Sequence, residues 1–284
     1  LGFYALGHAK ATGTSAVIIT TSGSAVANLM PAVVEASLDN IPLIILTADR
    51  PPELCDTAAN QTMDQLKFFG SNVRWFFDIP SPSTDMPLSM LLTTIDQACH
   101  MATCPINPGP VHLNCHFAEP LLPDTDFRVT QEMLPLGLQS WFSGQTPYTT
   151  IPAILVANAT DDYHYLATLI STVKSGLVVL GKMDNPRDKN SVTAFLDALQ
   201  WPVFPDISSQ LKVDSPAGKL SRYLVPQYDL MLLSADLQDS FSAEMILHLG
   251  GRLTSKRLTE WIAKQPCLHY VKVQDTLQRD DEFH

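Results

Sequence analysis

Positive charge is scarce in this 284-residue chain: Lys and Arg number 18 against 29 Asp and Glu, a formal charge of −11. A nucleic-acid binder needs a basic face to displace counterions from phosphate, and a polybasic membrane anchor needs the same cations. The balance argues against both partners, nucleic acid and membrane. Charged residues of either sign make up only 17%, below the ~25% usual for globular chains, while 45% are hydrophobic. Such a composition buries a core and argues against disorder. Long apolar runs are missing as well. The longest, such as Ile41 to Thr47, are strand-length and fall short of the ~20 residues of a membrane helix. No charged stretch followed by an apolar run opens the chain, so neither a signal peptide nor secretion is expected. The chain opens on Leu1 inside a helical pattern, which reads as an internal piece of a longer protein. Cysteines are few and odd in number, five with no CxxC, which points to buried thiols in a reducing compartment.

What is present is an alternation of short β-branched runs with longer helical stretches, the pattern of a parallel α/β layer structure. Leu1 to Ala11 reads as the end of a helix. Ser15 to Thr20 reads as a buried strand, followed by a helix over Gly23 to Ser37 capped by Ser22. Strands follow at Ile41 to Ala48, Val73 to Ile79 and Pro110 to Cys115, with a helix over Pro87 to Met101. The pattern dissolves between Glu119 and Pro152, where a domain boundary is placed. A second α/β series then begins. Helices are predicted at Tyr163 to Val173, Ser191 to Leu199 and Ser255 to Lys264. Strands are predicted at Leu177 to Gly181, Trp201 to Phe204, Leu230 to Leu233, Ile246 to Gly250 and Leu268 to Val273. The fold class is therefore α/β, with two doubly wound parallel-sheet domains.

Three turns carry residues suited to binding. Thr20-Thr21-Ser22-Gly23-Ser24 joins a strand to a helix, where ligands usually sit in an open parallel sheet; an ordinary Ser N-cap is the alternative. Arg50, in Asp49-Arg50-Pro51-Pro52-Glu53, could clamp a carboxylate or merely pair with Asp49 or Glu53. Asn60 and Gln61 follow at the head of an expected short helix, able to hold a ligand or to cap a turn. In the third turn, Gly250-Gly251-Arg252-Leu253-Thr254-Ser255-Lys256-Arg257, three cations crowd a helix N-terminus that disfavours them. Either an anionic ligand is expected there or the face is simply solvated. Two patterns are set aside. Gly176 to Lys182 has the spacing of a phosphate loop, but Met183 replaces the Ser or Thr and the middle is strand. His112, Cys115 and His116 look like metal ligands, yet period-two alternation sends His112 and Cys115 to opposite faces.

Taken in order, several segments closely resemble the SEPHCHC synthase (MenD) family of thiamine-diphosphate enzymes, with a leaning to the plant and algal phylloquinone-pathway form. They are Leu6-Gly7-His8-Ala9-Lys10, VIITTSGSAVANLMPAVVEA from Val17, LIILTADRPPEL from Leu43, Ala59-Asn60-Gln61 and GPVHLNCHFAEPL from Gly109. Leu180 to Met183, LGGRLTSKRLTEW from Leu249 and Gln274 to His284 fit the same family's central domain. The resemblance implies a pyrimidine-binding domain over 1–125 that lacks its N-terminal part, a linker over 126–150 and a central domain over 151–284. The family's catalytic glutamate is expected upstream of Leu1, and its diphosphate-binding domain, with the Mg2+ or Mn2+ site, after His284. No catalytic residue and no metal ligand is therefore assigned here, and independent catalysis is not expected of this piece. By the same resemblance, Thr21, Ser22, Gly23 and Ser24 would lie against thiamine diphosphate, and Asn60 and Gln61 would face its reacting end. Lys256 and Arg257 would contact the carboxylates of 2-oxoglutarate and isochorismate, the substrates of the menaquinone and phylloquinone pathways, and Arg50 would contact either a substrate carboxylate or a regulatory anion. A homodimer or homotetramer is implied for the complete enzyme, in the plastid if plant or algal and in the cytoplasm if bacterial. An acetohydroxyacid-synthase type of thiamine enzyme and a non-catalytic docking relative stand as alternatives.

Overall fold

The computed structural model describes residues 1–83, 85–122, 134, 136–144, 146–151, 160–183, 186–211 and 222–275. The segments 126–133 and 276–284, read above as linker and as part of the central domain, lie outside these. Two compact units divide the chain, Leu1–Ile154 and Leu155–His284.

The first unit is built on four parallel strands, β1 (Ala16–Thr20), β2 (Leu43–Asp49), β3 (Trp75–Ile79) and β4 (Pro110–His116), in the order β1-β2-β4-β3. Its helices are α1 (Gly2–Thr12), α2 (Ser24–Ala27), α3 (Met30–Leu38), α4 (Leu88–Thr103) and α5 (Leu136–Phe142). Alternation along each strand serves two cores. Ile18, Leu43 and Ile45 pack on one face against Ala5, Ala9, Val33, Ala36 and Phe69. Ile44, Val111, Leu113 and Ile79 pack on the other against Ala98 and Ala102 of α4.

The second unit repeats the plan with β5 (Gly176–Leu180), β6 (Val203–Pro205), β7 (Met245–Leu249) and β8 (His269–Val273), all parallel, in the order β6-β5-β7-β8. Its helices are α6 (Thr160–Thr172), α7 (Pro186–Leu199), α8 (Tyr228–Met231), α9 (Ala235–Ser240) and α10 (Lys256–Lys264). Val178, Leu180 and Leu247 face one core with Leu196, and Leu177, Val179 and Ile246 face the other with Leu258, Trp261 and Ile262. Both units are thus doubly wound parallel sheets. Among the described residues no helix is long and apolar enough to cross a membrane.

Several local expectations are corrected. The helix expected from Gly23 to Ser37 is two pieces, because α3 begins at Met30 with Pro31 in its first turn, and proline cannot donate to a preceding turn. Ser22 is not its cap: Gly23 occupies that position, no side chain caps the helix, and Ser22 is buried. Ser15 to Thr20, expected to be a buried strand, is only partly so. As an edge strand, β1 buries Ile18 but leaves Val17 and Ile19 56% and 70% exposed. Leu230 to Leu233 is helix α8 and the turn after it; Tyr228 and Leu232, four apart, are buried while Leu230 and Leu233 are exposed, a helical spacing. Helix α5 occupies part of the stretch read as linker, with Leu134 and Leu138 buried around it.

Candidate functional site

In the first unit the strand register lines up three rungs on one face. Ile18, Ile45, His112 and Phe76 form the first, Thr20, Thr47, Asn114 and Asp78 the second, and Asp49 with His116 the third. Polarity therefore rises toward the carboxyl ends of the strands, where ligands of open parallel sheets collect. A buried polar group must find partners, and here each rung supplies the next. Thr47 Oγ1 donates to Asn114 Oδ1 at 2.9 Å, and Asn114 Nδ2 donates to Asp49 at 2.8 Å and Asp78 at 2.9 Å. Because the single Thr47 proton goes to Asn114, His112 Nε2 carries the proton it donates to Thr47 at 2.8 Å. Burial pushes the His112 pKa down to about 4, so the ring is neutral. Burial, helped by Asp78, pushes the Cys115 thiol up to about 11. For His116 burial works against the charged form, but the Arg50 carbonyl and the Asp78 carboxylate outweigh it and the pKa is raised.

Gln65 ties the loops to this network. Its Nε2 donates to the Ala48 carbonyl at 3.1 Å and to Asn114 Oδ1 at 2.8 Å, while Oε1 accepts the Gly23 N–H at 2.8 Å. Gly23 has φ +79°, and a Cβ there would lie 3.2 Å from the Gln61 carbonyl oxygen. The turn carrying Thr21, Ser22, Gly23 and Ser24 and the turn carrying Asn60 and Gln61 are thus in contact. No helix follows Asn60. Gln61 has φ +58°, a left-handed conformation that ends rather than starts a helix. The side chains of Thr21, Ser24, Asn60 and Gln61 face solvent. Arg50 sits where β2 ends; its backbone N–H donates to Asp49 Oδ1. Among the described residues it makes no ion pair with Asp49 or Glu53, and its Nε is buried without a partner. Thr20 Oγ1, at the carboxyl end of β1, is likewise buried and unpartnered. Two orphaned polar atoms, a glycine turn in which a Cβ would press on the Gln61 carbonyl and exposed hydroxyls fit one half of a cofactor site.

In the second unit the carboxyl ends of β5 and β7 are closed by backbone. Gly181 N–H donates to Leu249, Lys182 N–H to the Arg252 carbonyl and Gly251 N–H to the Lys182 carbonyl. His248 fixes the turn: its Nε2–H donates to the Gly251 carbonyl at 2.9 Å and Nδ1 accepts the Tyr270 hydroxyl at 2.7 Å. The glycines therefore serve a close approach of chain to chain. A cluster of polar and charged groups lies one turn on. Asp206 accepts from Thr254 N–H and Oγ1, Ser255 N–H, and Ser208 N–H and Oγ. Burial opposes its charge, but these donors win and its pKa is lowered. Ser255 caps α10 by accepting the Leu258 N–H. Arg257 forms an ion pair with Asp229 and also donates to the Asp229 carbonyl at 2.9 Å. The Lys256 side chain is 89% exposed and reaches Glu260 at 3.6 Å. Tyr228, Asp229, Thr254, Ser255, Lys256 and Arg257 line a cavity of about 380 Å³.

The residues missed from sequence are Gln65, Asn114, Asp78 and Asp206, which hold the candidate groups in place. A signal for Asn114 existed, a polar residue at an inward position of a strand otherwise buried.

Known proteins match along the whole chain. The family described as the N-terminal TPP binding domain of thiamine pyrophosphate enzymes matches residues 1–68, and the one described as the middle domain of thiamine pyrophosphate matches residues 134–284. Proteins named 2-succinyl-5-enolpyruvyl-6-hydroxy-3-cyclohexene-1-carboxylate synthase are similar to it. That of Salinibacter ruber is 42% identical over 99% of this chain and 47% of its own length, and that of Rubrobacter xylanophilus 38% over 99% and 47%. "Protein PHYLLO, chloroplastic" of Arabidopsis thaliana is 37% identical over 100% of this chain and 17% of its own length. The chain spans about half the length of these bacterial relatives.

Proposed function

The chain belongs to the thiamine pyrophosphate enzymes, and from that premise we propose that it forms the pyrimidine-binding and central domains of a SEPHCHC synthase. The complete protein would decarboxylate 2-oxoglutarate and add the resulting unit to isochorismate, in menaquinone or phylloquinone synthesis. The observation that carries the reading is the contact of the Gly23 turn with Gln61, reinforced by the Gly23–Gln65 hydrogen bond. It puts the residues resembling the family's cofactor contacts beside those resembling its substrate contacts.

In this reading Thr21, Ser22, Gly23 and Ser24 hold the pyrimidine side of thiamine diphosphate. Gly23 is the fixed point, since its φ of +79° strains any side chain and the Gln61 carbonyl would have to give way to a Cβ. The cofactor supplies the electron sink, and the protein orients it. Asn60 and Gln61 turn polar amides to the reacting end. Arg50, with its orphaned Nε, binds a substrate carboxylate, and Lys256 and Arg257 bind another, because dianionic substrates need fixed cations to hold them in place. The diphosphate and its Mg2+ or Mn2+ belong to a part of the protein outside this chain, and so does the catalytic glutamate. The complete enzyme would be a homodimer or homotetramer, plastidic in a plant or alga and cytoplasmic in a bacterium.

Steady-state assays of the full protein test this. Turnover with 2-oxoglutarate plus isochorismate and none with pyruvate is the expected result; the reverse preference would overturn the substrate assignment in favour of an acetohydroxyacid-synthase type. For this chain in isolation, calorimetry with thiamine diphosphate and Mg2+ should show no submillimolar binding, since half of the proposed site lies elsewhere.

A further inference from the structure

Beside Arg50, side chains from separate segments converge in an arrangement that the proposed cofactor site does not use. Asp49 ends β2, His116 ends β4 directly opposite it, and Cys55 arrives from the turn that follows Pro52 to Leu54. One ligand atom of each lies within 4.8 Å of the other two. All three border a cavity of about 680 Å³, with Asp78 on the same wall and 3.0 Å from His116 Nε2.

We propose that this cluster binds one divalent cation of the zinc class, through a carboxylate oxygen of Asp49, the sulfur of Cys55 and Nε2 of His116. Asp78 or water supplies the fourth position. A thiolate with an imidazole selects borderline-soft ions such as Zn2+ or Co2+ over Mg2+ and Ca2+, which prefer oxygen alone. The surroundings are those of a metal site. His116 Nδ1–H donates to the Arg50 carbonyl, which fixes the ring and turns Nε2 to the cavity, the usual outer-shell device for a metal-bound histidine. Asn114 donates to Asp49 and Asp78 at once, holding one oxygen of each. Among the described residues neither carboxylate has a Lys or Arg ion-pair partner. A cation at this point offsets that excess of negative charge. On binding, the Cys55 thiol gives its proton to solvent, as does His116 Nε2 where the ring is charged, and the lone pairs go to the metal; nothing is oxidised or reduced.

Co2+ titration of the metal-stripped protein, followed by absorption, tests the site. A thiolate-to-cobalt charge-transfer band saturating at one equivalent, and bleached by Zn2+, is expected. Cys55→Ala should abolish the band and weaken Zn2+ binding at least ~10-fold, whereas Cys267→Ala should leave both unchanged. Cys55 is exposed, so its replacement does not threaten the fold. Absence of the band in the unaltered protein, or its persistence in Cys55→Ala, overturns the proposal. The Mg2+ that accompanies a diphosphate gives no thiolate band, so this result stands apart from the cofactor assignment.

Discussion

Gln65 Oε1 accepts the backbone N–H of Gly23 at 2.8 Å across a separation of 42 residues. Through this one bond the loop after β2 is fastened to the turn after β1, and the Gln65 amide passes the connection on to Asn114 at 2.8 Å. The turns proposed to meet the cofactor are therefore positioned by a buried polar side chain that does not itself face the ligand.

Replacing that side chain tests the fastening. Gln65→Ala removes three hydrogen bonds and leaves the Gly23 N–H and the Ala48 carbonyl short of a partner. A cost of about 2–4 kcal/mol is expected, since a lost bond counts for roughly 1 kcal/mol and each stranded group for more. Urea unfolding measures it; a loss below ~1 kcal/mol would show that the network does not hold the turns.

Glycine replacements should separate close approach from mere flexibility. A Cβ on Gly181 would sit 1.9 Å from the Gly251 carbonyl oxygen, whereas one on Gly7 in α1 meets nothing within 4 Å. Gly181→Ala should destabilise by about 2–3 kcal/mol through overpacking. Gly7→Ala should stabilise by about 0.5–1 kcal/mol through helix propensity. Thermal melts of the two variants, scanned side by side, give the comparison.

The buried histidine of the first rung sets an acid limit. His112 titrates near 4 when folded against an ordinary 6.5, so its contribution is complete above pH 6.5 and is lost as pH falls toward 4. At 1.36 kcal/mol per pKa unit the loss is about 3 kcal/mol. His116 has a raised folded pKa, so its contribution is complete below the ordinary value and is lost as pH rises through the folded one. His112→Gln keeps a donor for Thr47 and removes the titration. Denaturant midpoints measured from about pH 7.5 down to about pH 4.5 should show a flatter acid slope for the variant; equal slopes would dismiss the assignment.

Lys256 and Arg257 adjoin in sequence but should respond differently. Lys256→Ala removes an exposed side chain and should change stability by less than ~0.5 kcal/mol. Arg257→Ala also removes the bonds to Asp229, leaves that carboxylate unpaired and should lower the melting temperature. If both cations hold substrate carboxylates in the complete enzyme, each variant loses about 2–4 kcal/mol of transition-state stabilisation. Unchanged kcat/KM in both would reject the substrate role.

The α/β architecture was legible because β2, β5 and β7 are buried and read as apolar runs. The turns bearing Arg50 and Lys256 were legible for the same reason, since each follows such a run; the Gly23 turn follows β1, apolar in sequence although an edge strand. What the sequence concealed was local competition and distant pairing. Pro31 divides a helix that periodicity alone draws as continuous, and the apolar stretch at Leu230 hides a helical turn whose buried members are Tyr228 and Leu232. Gln65 carries no local signal, and Asn114 shows only as a polar residue in a buried strand; the register, which places Asn114 beside both Thr47 and Asp78, makes them a network. Asp206 meets Thr254 across 48 residues, a separation no local pattern can report.

That aspartate has one more consequence. By engaging the amides of Thr254 and Ser255, it ties down the turn that leads into α10, while the Ser255 hydroxyl takes the Leu258 N–H. If an anion is bound at the head of α10, as proposed, it meets side chains mounted on a frame that is already tied down. A relative that exchanged the cation at 256 would alter the charge presented there with the frame left as it stands, whereas an exchange at 257 would also strip Asp229 of its partner.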